Sequence, residues 1–186
     1  MSINKNNKIY FKIILIIAIF FRGVCLLSNK VLLLNLFIFS INQTTINFIL
    51  NVLIIISIAW GFNLKDKKAV RIFLKFIAMI FIALLALIWI FFNSEKRYFY
   101  FTSPDGSNTL VVEEKSFLLA GGSSFYQRNN HILVNELNEF ITTDDGYRPF
   151  SDNHYEVKWL DNKTVELHYD YGSGEAVYHI KVIKLN

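Results

Sequence analysis

The side chains in this sequence best able to bind a metal or move protons are four histidines, all in its second half. His168 and His179 fall in two segments of alternating apolar and polar residues, joined by the loop 172–175. An even-numbered loop centred between Ser173 and Gly174 places His168 opposite His179 and aligns the apolar residues of both strands. The preceding hairpin, with a three-residue loop at 161–163, then places Glu156 beside His168.

Two imidazoles and a carboxylate on one sheet face form a ligand set that zinc accepts. Glu156, His168 and His179 are therefore a candidate metal site. An ordinary solvated row of polar side chains is the favoured interpretation, because the row offers no fourth ligand. The acidic loop 144–153 carries oxygen ligands for calcium, but its spacing does not match an EF-hand and a plain surface loop is favoured.

Recognised catalytic motifs are absent from the sequence. It contains no nucleophile elbow, phosphate-binding loop, dinucleotide-binding fingerprint or HExxH motif. We therefore expect neither an enzyme nor a bound cofactor. Nucleic acid is not expected as a partner, because the basic residues flank apolar segments and the second half is acidic.

The two halves of the 186-residue chain differ sharply in composition. Residues 1–93 hold ten Lys/Arg against the single acid Asp66, a net charge of +9, and residues 94–186 hold nine against fourteen Asp/Glu, a net charge of −5. The first half also contains three long apolar segments, at about 9–27, 45–62 and 72–92. Since about 20 residues of helix cross a bilayer, each is an expected transmembrane helix.

The segment 31–41 is apolar but too short to span, and it is expected to be an interfacial or re-entrant piece of the membrane half. Basic residues cluster before the first span and between the second and third. With three spans, both clusters lie on one side, so the N-terminus is expected in the cytoplasm and residues 94–186 outside the cell membrane. A cleaved signal peptide is the alternative for the first segment, but the small-residue cleavage pattern is missing.

Short alternating segments separated by turn residues fill the second half, which predicts an antiparallel all-β domain at 94–186. Ser103-Pro104-Asp105-Gly106, Gly121-Gly122 and Asn129-Asn130 are the expected turns. About ninety residues suffice for one core. The expected fold class is therefore three transmembrane helices followed by a small β sandwich or half-open barrel.

The second half also resembles a family. The Ser103-Pro104-Asp105-Gly106 stretch, followed by Leu110-Val111-Val112-Glu113, and the ending Tyr155–Trp159 with Thr164-Val165-Glu166 carry the likeness. They are similar to small uncharacterised membrane or lipid-anchored proteins of low-GC Gram-positive bacteria with an extracytoplasmic β domain. The resemblance covers only the C-terminal ninety residues, and it implies a fold without an agreed activity.

The sequence is compatible with three functions. The leading hypothesis is a membrane-anchored protein that presents an extracytoplasmic β domain for interaction, envelope sensing or accessory work. Its partners would be the lipid bilayer and another membrane or envelope protein. An immunity or stress-protection protein acting through its helices is the second hypothesis, and a metal-dependent extracytoplasmic enzyme using the histidine row is the third.

Overall fold

The computed structural model describes residues 5–32, 34–38, 41–61, 67–93, 95–117, 119–172 and 178–186. These residues form three long helices, nine strands and one turn of 3-10 helix at Asp144–Gly146. The helices and strands in chain order are α1 Lys5–Leu32, β1 Leu34–Ile38, β2 Ile41–Asn42, α2 Gln43–Gly61, α3 Lys68–Asn93, β3 Arg97–Thr102, β4 Thr109–Phe117, β5 Ala120–Arg128, β6 Leu133–Thr143, β7 Tyr155–Trp159, β8 Thr164–Asp170 and β9 Tyr178–Lys184.

The chain divides into two compact units that do not follow a single cut in the sequence. A helical unit comprises Met1–Leu32 and Ile41–Phe91, and a β unit comprises Leu33–Ser40 and Phe92–Asn186. A single boundary after residue 93 therefore does not describe the division, because Leu33–Ser40 also belongs to the β unit. The piece at 31–41, expected as part of the membrane half, instead contains β1, which pairs antiparallel with β6 in the β unit.

All three helices are long and apolar enough to cross a membrane, as the sequence indicates. The third is continuous across Ile72–Phe92, because no proline or glycine interrupts it. Asn42 caps the start of α2, where its side-chain oxygen accepts the backbone N–H of Thr45 at 2.9 Å. The helical half of the expected fold class is confirmed.

Helices α1 and α2 pack against each other through small residues. Ala18 and Cys25 of α1, and Ser57 and Gly61 of α2, are buried. A Cβ added at Gly61 would lie 3.1 Å from the Cβ of Phe11. Small side chains allow close approach of helices in a medium where lipid tails are as apolar as leucine.

The larger sheet of the β unit joins five strands in the order β1-β6-β5-β4-β3. The ring of Phe37 in β1 lies 4.8 Å from the ring of Tyr98 in β3, although these strands are at opposite ends of that order. The sheet therefore curls into a half-barrel. An irregularity opposite Ser124–Tyr126, with Asn138 of β6 at φ 52°, bends the sheet where its pairing shifts.

Two of the three expected turns of the β unit form as the sequence indicates. In the Ser103–Gly106 turn, Asp105 accepts the backbone N–H of Ser107 at 3.0 Å, and Gly106 adopts φ 74°. Asn130 accepts the backbone N–H of Leu133 in the turn before β6. Gly121-Gly122, in contrast, lies inside β5, where added Cβ atoms would approach the carbonyl oxygens of Tyr147 and Ile141 to 2.6 Å. These glycines serve close backbone approach rather than a turn.

The smaller sheet has the strand order β7-β8-β9. The β7–β8 register is as expected, with Val157 opposite Leu167. The β8–β9 register differs by one residue, because Asp170 pairs with Tyr178 and leaves an odd-numbered connection, 171–177. Burial of Ile183 opposite Val165 selects this register.

One hydrophobic core joins the two sheets of the β unit. Full burial of each large apolar side chain contributes about 1.5–3 kcal/mol. Phe150, from the loop before β7, is fully buried and its ring lies 4.8 Å from that of Tyr155. The buried members are Leu110, Val112, Phe125, Ile141, Phe150, Val165, Leu167, Tyr169, Ile183 and Leu185.

Candidate functional site

The predicted metal row is not assembled by the β8–β9 register. Glu156 lies opposite His168 as expected, but His168 pairs with Ile180, and His179 pairs with Tyr169. Because neighbouring residues on a strand point to opposite faces, His168 and His179 face away from each other. Within the described part of the chain, no group of three His, Cys, Asp or Glu residues is placed to hold a metal ion. The prediction of convergence at Glu156, His168 and His179 is therefore wrong.

His168 instead takes part in a local pairing on the outward face of the smaller sheet. Its Nε2 lies 2.8 Å from an Oε1 atom of Glu166, two residues earlier on β8. The hydrogen bond from His168, followed by the charges of His168 and Lys158, lowers the pKa of the Glu166 carboxyl from its ordinary value. This face carries complementary charges, with Lys158 opposite Glu166 and Glu156 opposite His168.

His179 lies on the opposite face, among aromatic rings. Its ring stacks on Tyr171 with centroids 4.9 Å apart and lies 5.8 Å from the ring of Tyr169. Lys181, on the same face, forms an ion pair of 2.5 Å with Glu139 of β6. The inward row of β9 thus begins with His179 and Lys181, which contact neighbouring side chains, and ends with the buried Ile183. Leu185, directly after the strand, is also buried.

The outward face of β9 carries a row of apolar side chains in place of the second histidine. Tyr178, Ile180 and Val182 are 53%, 63% and 45% exposed. We call these three residues the β9 apolar row. Their partners across β8 are Asp170, His168 and Glu166, so the face is charged on one half and apolar on the other. The sequence is compatible with two registers of β9. Tyr178, Ile180 and Val182 supply apolar side chains for one face, and Ile183 and Leu185 supply them for the other.

A tyrosine–histidine pair in the acidic loop was not anticipated from the sequence. The Tyr147 hydroxyl and Nδ1 of His154 share a short hydrogen bond. Partial burial, followed by the nearby charges of Asp170 and Asp152, raises the pKa of the Tyr147 phenol. The phenol therefore stays protonated at neutral pH. These residues are seven apart in an irregular segment, where no periodic pattern marks them.

Two adjacent carboxylates on β4 are buried on opposite faces of the half-barrel. Glu114 accepts the backbone N–H groups of Phe150 and Ser151 at 2.8 and 3.1 Å, which fixes the loop that carries Phe150 into the core. Glu113 accepts the Tyr98 hydroxyl at 2.8 Å and pairs with Lys96 at 2.9 Å. Both buried carboxylates are therefore hydrogen-bonded to neighbouring segments of the β unit, and these contacts stabilise the fold.

A polar cluster joins the first two helices inside the apolar segments. Arg22 donates through Nε to Asn51 Oδ1 at 3.3 Å and through an Nη atom to Asn47 Oδ1 at 3.1 Å. Gln43 donates to the carbonyl oxygen of Cys25 at 2.9 Å. A polar residue within an apolar helix, such as Asn51, is typical of a contact between transmembrane helices. Here Arg22, close to the end of the first apolar segment, links α1 to α2.

The fold defines a class: an apolar three-helix unit of membrane-spanning length, combined with an antiparallel β unit that includes a strand from between the first two helices. Comparison with protein-family models, curated proteins and solved structures finds no match to the chain. The similarity to Gram-positive membrane proteins therefore stays an expectation. The function must be argued from the geometry of the described residues.

Proposed function

We propose that this protein is a multi-pass membrane protein whose β unit lies outside the cell and docks another membrane or envelope protein. The β9 apolar row is the observation that carries this proposal. Large apolar side chains that cluster on an exposed sheet face are typical of protein interaction sites. The flanking charges of Glu166, His168 and Asp170 would form the polar rim around an apolar centre.

The position of β1 supports the topology within this proposal. This strand lies between α1 and α2 in sequence, yet it pairs with β6 in the unit that follows α3. Two crossings, by α2 and α3, return the chain to the side on which β1 lies. Basic residues in the first turns of α1 and between α2 and α3 favour the cytoplasm for the other side.

Photo-crosslinking in native membranes tests the docking surface. A benzophenone amino acid replaces Ile180 in the full chain, and the matched control replaces Leu119, an apolar residue that is 75% exposed outside the row. We expect position 180 to give an adduct of defined mass and position 119 to give little. Mass spectrometry of the adduct identifies the partner.

A second variant separates specific docking from proximity. Ile180→Asp places a charge in the β9 apolar row, so crosslinking from a benzophenone at position 178 should fall strongly. Leu119→Asp should leave it unchanged. Equal adducts from positions 180 and 119, or an adduct from position 178 that Ile180→Asp leaves intact, would contradict the proposal.

A further inference from the structure

A crevice of about 430 Å³ lies between α2 and α3 in the helical unit. Its walls are Ile55, Ile58 and Ala59 of α2 and Arg71, Leu74, Ile77 and Ala78 of α3. All of these side chains except that of Arg71 are apolar. The two alanines leave space between the helices that larger side chains would fill. The volume falls in the range of small-molecule binding sites.

The two ends of the crevice differ in charge, because Arg71, the one cationic residue of its lining, lies toward the beginning of α3. From Arg71 to Ala78 the lining residues follow one helix face over about 10 Å, at 1.5 Å per residue. Lys75 Nζ lies over the ring of Trp60 at 5.2 Å, one residue after the lining Ala59. Tryptophan beside basic residues is typical of a membrane–water interface.

The charge at this end of the crevice is positive. Lys67, Lys68, Arg71 and Lys75 all lie within the first turns of α3 or directly before them, and residues 1–93 contain a single acid, Asp66. An occupant with one anionic group and one apolar chain complements this arrangement. A transmembrane helix does not fit the crevice, because its diameter with side chains, about 10–12 Å, is too large for a space of about 430 Å³.

We propose that the crevice binds an acyl chain of an anionic phospholipid whose headgroup phosphate contacts Arg71. A guanidinium binds phosphate oxygens through two parallel hydrogen bonds, which a lysine does not match. Basic pockets between transmembrane helices are known to bind acidic lipid headgroups. This site lies in the helical unit and does not depend on the docking surface of the β unit.

Fluorescence of Trp60 provides the test, since this residue adjoins the crevice. The full chain with Trp89→Phe and Trp159→Phe is placed in phosphatidylcholine vesicles. Phosphatidylglycerol or phosphatidylcholine with brominated acyl chains is added at equal low mole fraction, because bromine quenches tryptophan on contact. We expect the anionic lipid to quench Trp60 about fivefold more effectively, the preference that one basic residue near a membrane provides.

Matched variants separate a site from general attraction to a basic surface. Arg71→Gln should bring the lipid preference close to one. Lys68→Gln removes the same charge from the same end of α3 but does not line the crevice, and it should keep most of the preference. Equal effects of these two substitutions, or no preference in the parent protein, would overturn the proposal.

Filling the crevice tests where the acyl chain lies. Ala78→Leu should reduce quenching of Trp60 by both brominated lipids, because the leucine occupies the space of the chain. If circular dichroism shows that Ala78→Leu has lost helix, Ala59→Leu on the opposite wall of the crevice replaces it in the same experiment. Unchanged quenching in a correctly folded filled variant would place the lipid elsewhere and refute the site.

Discussion

Arg22 shows how a charged side chain is accommodated inside an apolar helix pair. Its sequence position, toward the end of the first span, suggests that the guanidinium extends to the headgroups. The structure instead gives it two asparagine oxygens on α2. The position of Asn51 within an apolar helix indicates a contact between helices, but the sequence alone does not select its partner. The packing of α1 on α2 determines which polar side chains meet.

A double-mutant cycle measures the contribution of this pair. Arg22→Gln and Asn51→Ala, alone and together, are compared by unfolding of the full chain in mixed detergent micelles. We expect a coupling energy of about 0.6 kcal/mol, the average for polar contacts between transmembrane helices. The control cycle pairs Asn51→Ala with Lys12→Gln, a cation elsewhere on α1, and should give no coupling. Equal coupling in both cycles would contradict the contact.

At the scale of elements, the β unit shows which features of a fold a sequence specifies and which it leaves open. Alternation in β7 and β8 permits only one buried face, so that register is correctly predicted from the sequence. In β9 and directly after it, Tyr178, Ile180 and Val182 offer one apolar alternation and Ile183 and Leu185 offer the other. Contacts from distant residues decide between them: Gln127 Oε1 accepts the backbone N–H of Asn186, next to the buried Leu185.

Paired cysteines distinguish the two registers of the β8–β9 hairpin. In a Cys25→Ser background, His168→Cys with Ile180→Cys should oxidise to a disulfide, since directly opposed residues have Cα atoms about 4.5–5.5 Å apart, within the range that a disulfide spans. His168→Cys with His179→Cys should not, because these side chains lie on opposite faces. Mass measurement after oxidation and alkylation reports each bridge. Efficient bridging of 168 to 179 with none to 180 would restore the even-numbered loop.

At the scale of the whole molecule, composition predicts the two classes of unit but not their boundary. Charge balance and apolar run length identify the three helices and the β region, because each property accumulates over many residues. The assignment of Leu34–Ile38 to the β unit depends on pairing with Leu133–Asn135, about one hundred residues later. A five-residue apolar segment carries no local signal that separates an edge strand from an interfacial segment.

This assignment makes the membrane topology testable at a position that sequence alone leaves ambiguous. Because β1 belongs to the β unit, the connection between α1 and α2 must lie on the same side of the membrane as the β4–β5 turn. In a Cys25→Ser background, single cysteines at Ile41 and Leu119, both exposed, should therefore react together with a membrane-impermeant maleimide on intact cells.

A cysteine replacing Lys68, at the start of α3, is the control and should react only after permeabilisation, since the basic cluster there favours the cytoplasm. Labelling of position 68 on intact cells, with positions 41 and 119 protected, would exclude the proposed orientation. Labelling of position 119 without position 41, at equal reactivity in detergent, would contradict the pairing of β1 with β6. The labelling pattern thus separates an error in orientation from an error in strand assignment, because only the second divides positions 41 and 119.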